Sequence, residues 1–227
     1  MKSKSKKIVG NILFLAGALL VLASFIILLK LKTEENEAKK AGDEGVNLIL
    51  THIRSEENNL KNNPADPNFG PEINADNSGD TALNTTEENV SGMPVYSANG
   101  ISYIGIIEIP SVGICLPVTD GWTENTLRKA PCRFYGSAND HDLVIAGHNY
   151  RNGQFGDLKR VSSGDEVYFT QTDGVQFVYT VKETEILQPT DVIPMVESGF
   201  DLTLYTCTYG GKTRFTVRCV AKEEENP

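Results

Sequence analysis

The hydrophobic pattern divides the chain before any count of composition is made. From Ile8 to Leu29 the only polar side chains are Asn11 and Ser24, and Lys2, Lys4, Lys6 and Lys7 stand just ahead of the run. Its 22 residues, at ~1.5 Å of rise each, are enough to cross a hydrocarbon core of about 30 Å. A cleaved signal peptide would have an apolar core of about 7–15 residues followed by a small-residue cleavage site. Here the run ends in Leu28-Leu29-Lys30-Leu31-Lys32 with no A-x-A-like site, so an uncleaved anchor over residues 1–32 is expected. Lys30, Lys32, Lys39 and Lys40 follow the span closely, and the positive-inside count comes out nearly even for the two orientations.

Residues 33–92 pattern differently. Val46, Leu48, Ile49, Leu50 and Ile53 fit one apolar side of a helix between about Thr33 and Lys61. A run rich in Asn, Pro and Gly, Asn62 to Pro71, comes next. Too few apolar residues follow to offset the entropy of ordering. The segment reads as an acidic stalk, partly helical, that spaces the body from the membrane. The alternative is a lid over a site, because Asp66-Pro67-Asn68-Phe69 sets an aromatic beside a rigid turn.

From about residue 93 to 227 the texture is that of strands. Runs rich in Val, Ile, Tyr, Phe and Thr occupy Ile101–Ile109, Gly113–Val118, Leu143–Ala146, Glu166–Thr170, Val175–Val181, Leu202–Thr208 and Arg214–Val220. Pro110-Ser111, Asp120-Gly121, Ser163-Gly164-Asp165, Asp173-Gly174 and Gly210-Gly211 separate them. Helical periodicity is confined to Thr123–Lys129 and Gly153–Arg160. A mainly all-β domain closed, or nearly closed, into a barrel is expected, since closure leaves few exposed edges.

Charge changes the picture only when taken by region. The net charge of −9 over 227 residues disfavours a nucleic-acid binder. Yet residues 1–32 hold six lysines and no acid, while residues 33–92 hold thirteen acids against four bases. The acidity belongs mostly to the stalk and the tail Glu223-Glu224-Glu225, so it says little about a substrate. The four cysteines, Cys115, Cys132, Cys207 and Cys219, form no CxxC pair, which excludes a zinc-ribbon pattern and a disulfide-dense mini-domain. No metal or cofactor is expected. Cys115, Cys132 and Cys219 read as packing residues, Cys132 in a Pro-flanked loop, with a disulfide among them left open.

The most informative segment is Leu202 to Cys219. Gly210-Gly211 has the composition of a two-residue hairpin turn, which needs positive φ. That register sets Cys207 opposite Arg214 on one face. Leu202, Leu204, Phe215, Val217 and Cys219 then share an apolar face, and Tyr205, Cys207, Tyr209, Lys212, Arg214 and Arg218 a polar one. A one-residue slip would reverse both faces. A guanidinium beside a thiol can stabilise an anionic sulfur nucleophile, or the oxyanion formed when that sulfur attacks a carbonyl. By hairpin logic alone Cys207 is either such a nucleophile or an ordinary strand cysteine.

A nucleophilic cysteine needs a proton donor and acceptor nearby. His52 falls in the stalk and His141 in the polar turn Ala138 to Asp142. His148 ends the apolar strand Asp142 to Gly147 and opens a polar loop, a junction that suits chemistry but also suits a surface histidine. Trp122 and Arg133 could line a groove or simply pack on the surface.

At these residues the chain resembles the sortases, membrane-anchored cysteine transpeptidases of Gram-positive bacteria. Leu202-Thr203-Leu204-Tyr205-Thr206-Cys207 is similar to the family's TLxTC strand, and Arg214 follows on the next strand. Ala146-Gly147-His148-Asn149 looks like the catalytic-histidine motif, with Phe155, Leu158 and Gly164-Asp165 at family-like spacing. Ile104 to Pro110, Ile114 to Val118 and Tyr135-Gly136-Ser137 resemble the upstream part of the domain, and the likeness covers about residues 95–222.

The resemblance implies an eight-stranded sortase barrel with Cys207, His148 and Arg214 as catalytic residues in one groove. Thr206, Asn149 and Tyr209 would be its substrate-binding neighbours. The body would be extracytoplasmic, and its partners surface proteins with an LPxTG-type C-terminal sorting signal. The acceptor would be an amine of a cell-wall precursor or a pilin lysine. Pilus-building members carry a proline two residues after the cysteine, where this chain has Tyr209. Their lid carries Asp-Pro-aromatic, whereas Asp66-Pro67 is followed by Asn68. Both departures favour cell-wall anchoring or another housekeeping-type role over pilus polymerisation. The connection after Cys207 is too short to carry over determinants from longer loops, and no carboxylate cluster suggests the calcium site of some relatives. A membrane-anchored cysteine hydrolase with the same triad and a non-catalytic surface adhesion module are the competing readings.

Overall fold

The computed structural model describes residues 2–62 and 92–222. The stretch containing Asp66-Pro67-Asn68-Phe69 lies outside the described residues, as does the acidic tail.

The apolar segment expected to be an anchor and the expected stalk helix are one helix, α1 (Lys2–Asn62, 61 residues). No proline interrupts it, and the polar residues after Leu31 do not break the backbone pattern. It includes an 18-residue stretch of mean hydropathy 2.5, none of it buried, long and apolar enough to cross a membrane.

Past the span the helix does not stand free as a spacer. Ala38 and Ile49 are buried, and Ile49 joins Tyr103 and Ile106 in a small core flanked by Val46 and Ile53. The apolar side seen in the sequence is the side that faces the body, with the exception of Leu50, which points outward.

The described residues of the body form nine strands: β1 (Tyr96–Ala98), β2 (Ile101–Ile109), β3 (Ile114–Thr119), β4 (Cys132–Tyr135), β5 (Leu143–Gly147), β6 (Glu166–Gln171), β7 (Gln176–Leu187), β8 (Leu202–Cys207) and β9 (Arg214–Ala221). They run in the order β1-β2-β3-β4-β5-β8-β9-β7-β6. A pairing of β6 back onto β2, Gly105 to Gln171 through Glu108 to Tyr168, closes β2 to β9 into an eight-stranded barrel. β1 adds to its rim as a short hairpin with β2. The seams β3–β4 and β5–β8 are parallel and the others antiparallel. Two short helices cover connections: α2 (Glu124–Lys129) and α3 (Val192–Val196). Thr123 caps α2 in a capping box with Thr126, while Gly153–Arg160 resolves as a 3₁₀ turn over Phe155–Arg160.

The barrel interior is filled by strand residues, among them Ile104, Leu143, Ile145, Phe169, Leu202, Leu204, Val217 and Cys219, with Phe155 added from the 3₁₀ turn. Cys219 is fully buried, as its strand parity required. All four cysteines are free thiols. Cys115 differs from its expected packing role, because its residue is exposed on β3 with Sγ turned to Glu108 Oε1 at 3.4 Å. Cys132 is not in a loop: it is buried at the start of β4, a strand too short and too mixed in polarity to stand out in sequence. β7 also runs further than expected, to Leu187, past an irregularity between Val181 and Glu183.

The β8–β9 turn is wider than a two-residue loop. Thr208 and Thr213 close it, with Thr208 N–H donating to Thr213 O at 2.9 Å, so Tyr209 and Lys212 belong to the loop. Gly210 and Gly211 both take positive φ, 72° and 71°, at its centre. Widening by one residue on each side leaves the register unchanged: Cys207 faces Arg214 and Leu202 faces Cys219.

Candidate active site

Three strand ends meet at one mouth of the barrel. β8 ends in Cys207, its parallel neighbour β5 ends just before His148, and β9 begins with Arg214. All three side chains line one groove of about 230 Å³. Its walls are mostly apolar, built from Trp122, Leu127, Phe134, Val192, Met195 and Tyr205. Gln188 and Asp191 add polar edges.

Arg214 and His148 are held from behind. The Arg214 guanidinium donates through Nη1 to the carbonyls of Gly211 and Thr213, at 3.1 and 3.3 Å, within its own hairpin. His148 donates its backbone N–H to Gln154 Oε1, and Gln154 in turn donates to Leu127 O, which ties the histidine loop to the end of α2. The His148 ring stacks on Tyr150, with centroids 5.0 Å apart. Its Nε2 is buried and has no hydrogen-bond partner among the described residues. Burial pushes the imidazole below the ordinary histidine range, and the positive charge of Arg128 adds to this, while Glu124 and Glu34 oppose it. A neutral imidazole with an unpartnered nitrogen has the lone pair that a proton acceptor needs.

A sortase domain model matches residues 107–223, just over half of the chain. The chain belongs to the sortase family. Among solved structures it is similar to the Clostridium perfringens sortase D5 transpeptidase, at 25% identity over 53% of this chain and 79% of that one, with a TM-score of 0.47. It is similar to Streptococcus pneumoniae sortase C at 27% identity over 55% and 71%, TM-score 0.48. A lid mutant of Corynebacterium diphtheriae sortase A aligns at 24% identity over 55% and 73%, TM-score 0.48. No curated protein matches the chain.

The residues expected around Cys207, His148 and Arg214 are not all brought to the groove. Thr206 faces the barrel interior, is 4% exposed, and donates its hydroxyl to Gly147 O at 2.8 Å. It ties β8 to β5 directly behind Cys207 and His148, and it does not reach the groove wall. Asn149 is exposed in the loop after β5, outside the groove lining. Tyr209 is 96% exposed at the hairpin tip, also outside that lining. Trp122 does line the groove, whereas Arg133 pairs with Asp120, its Nε 2.7 Å from Oδ1. His52 stacks on Tyr96 and His141 pairs with Asp201, so neither approaches the site.

Sequence reasoning missed the apolar walls. Tyr205 was legible by parity, two residues before Cys207 on its face. Val192 and Met195 were not, because α3 is one short helical turn inside a strand-rich segment and carries no alternation. Arg218, expected on a polar exposed face, is 2% exposed: it lies under the β7–β8 connection, bonded to Glu185, Thr203, Pro194 O and Met195 O.

Proposed function

We propose that this chain is a membrane-anchored cysteine transpeptidase that cleaves an LPxTG-like C-terminal sorting signal through an acyl-enzyme on Cys207. The observation that carries the reading is the convergence of Cys207, His148 and Arg214 on one mostly apolar groove. An extended, apolar peptide matches such walls, and its scissile carbonyl would lie at the strand ends.

The chemistry uses the three side chains in turn. His148, neutral at the outset, takes the Cys207 thiol proton, and Sγ attacks the carbonyl carbon before the signal's last residue. Arg214 stabilises the oxyanion or positions the peptide. The C–N bond breaks as the imidazolium gives its proton to the leaving amine, and a thioester remains on Cys207. An incoming amine, from a cell-wall precursor or a pilin lysine, then attacks the thioester while His148 takes its proton. The new amide forms and the thiol is restored. α1 holds the enzyme in the membrane with the barrel on the extracytoplasmic side, where the partners would be surface proteins carrying sorting signals. Tyr209 in place of proline after the cysteine favours cell-wall anchoring over pilus assembly.

The test is mass spectrometry of the full chain in detergent with a panel of sorting-signal peptides and acceptor amines. The expected result is an acyl adduct on Cys207, absent in Cys207→Ala, that the amine converts to a ligated product. An adduct that water alone resolves, at any amine concentration, would make the protein a hydrolase. No adduct from any peptide would sink the reading.

A further inference from the structure

The loop that carries His148 touches two bodies, and only one is the barrel. On the inner side Gln154 fixes it, and Phe155 N–H donates to His148 O while Gly156 N–H donates to Tyr150 O. On the outer side it meets α1. Asn152 N–H donates to Glu35 Oε1 at 3.1 Å, and the Tyr150 hydroxyl makes a long contact, 3.5 Å, to Glu34 Oε2. Gly153 lies flat on the helix backbone: at φ 73°, an added Cβ would fall 2.5 Å from Ala38 C and Lys39 N. Ala38, on the helix side of that contact, is 1% exposed. Tyr150, the residue that Glu34 contacts, is the one stacked on the His148 ring.

Glu35 follows Leu31 by four residues, about 6 Å along the axis at ~1.5 Å per residue. The helix runs through this stretch without interruption. A shift of the span is therefore transmitted to the loop with little slack.

We propose that the membrane-proximal turns of α1 are a positioning element for His148, with Glu35 and Ala38 holding the Tyr150–Gly153 loop and the loop holding the imidazole. The anchor and the reaction centre then form one mechanical unit, beyond the anchor's role as a tether. The proposal rests on the reading of His148 as the acid–base group, and neither Glu35 nor Ala38 touches the reacting atoms.

The experiment uses the full chain in phospholipid nanodiscs, comparing the wild type with Glu35→Ala, Glu35→Gln, Gly153→Ala and Ile49→Val. Two readouts are taken: acylation kinetics with an LPxTG peptide, and hydrogen–deuterium exchange of the segment 148–155. Losing one charge-assisted hydrogen bond should speed exchange in that segment about tenfold in Glu35→Ala and lower kcat about fivefold, with KM within about twofold. Glu35→Gln, which keeps an acceptor oxygen, should regain more than half of both. Gly153→Ala should act as Glu35→Ala does. Ile49→Val loosens the same helix at Tyr103 and Ile106, away from the loop, and should lower stability while leaving kcat and the 148–155 exchange unchanged.

Unchanged exchange in Glu35→Ala and Gly153→Ala overturns the proposal. So does a kcat that simply follows stability through Ile49→Val. If the wild type forms no acyl-enzyme, the transpeptidase reading fails by itself, and the exchange data still decide whether α1 holds the loop.

Discussion

Arg218 donates through Nη1 to the carbonyl oxygen of Met195 at 3.1 Å, joining β9 to the helix that walls the groove. Nη2 reaches Pro194 O at 2.6 Å, a second Nη1 bond goes to Thr203 Oγ1, and Nε pairs with Glu185 at 2.6 Å. Phe200 lies over the guanidinium. α3 has only five residues, and two carbonyls of its last turn, those of Pro194 and Met195, find their donor in this one side chain.

Arg218→Met should therefore destabilise the protein by about 3 kcal/mol, because it leaves buried carbonyls and a hydroxyl without partners. Arg218→Lys should restore less than half, since a single ammonium cannot replace the planar fork. Chemical denaturation measures both, and a loss below about 1 kcal/mol in Arg218→Met would refute this account of the wall.

The four thiols should react in a set order. Iodoacetamide added to the folded chain near pH 7 is expected to label Cys207 first, since it lines the open groove. Cys115 is slower, its thiol pushed up to about 11 by partial burial and by the hydrogen bond it donates to Glu108. Cys132 and Cys219 are pushed up by burial to about 11 and about 12, and both sit in the core, so they should label only on unfolding. Peptide mapping by mass spectrometry reads the order, and Cys219 reacting as fast as Cys207 would contradict the parity of β8 and β9.

Thr206→Val should cost about 1–2 kcal/mol, as Gly147 O loses a buried donor while side-chain volume is kept. The seam between β5 and β8 sits directly behind Cys207 and His148, so activity should fall as well. Equal stability of mutant and wild type in a urea titration would show that this hydroxyl is not the tie.

The depressed affinity of His148 for protons makes stability depend on pH. In the unfolded chain the imidazole gains its proton near pH 6.5, whereas the folded chain resists it until a lower pH. Between those limits the unfolded state binds more protons, so the contribution of His148 is full above pH 6.5 and is lost as pH falls toward the folded value. Denaturation midpoints from pH 7.5 downward should drop more steeply for the wild type than for His148→Asn, and parallel curves would refute the assignment.

The hairpin register, the core placement of Cys219 and the opposition of Cys207 to Arg214 were all legible in sequence. A strand has a side-chain period of two, and any even widening of the turn preserves both faces. The long apolar run of α1 was legible for a similar reason, since its length and composition alone suffice to cross a hydrocarbon core. Three other features depended on contacts between segments far apart in sequence. Arg218 looks like a surface residue until the β7–β8 connection folds over it. Thr206 falls by parity on the face of Leu202 and Leu204, but its partner, Gly147 O, is known only once β5 lies beside β8. Residues 33–62 pattern as an acidic spacer, and only the tertiary structure lays them on the barrel, where Ile49 is buried and Glu35 meets the loop of His148. Periodicity records which side of an element is apolar, while the partner that covers that side is set by packing between distant elements, which local pattern does not encode.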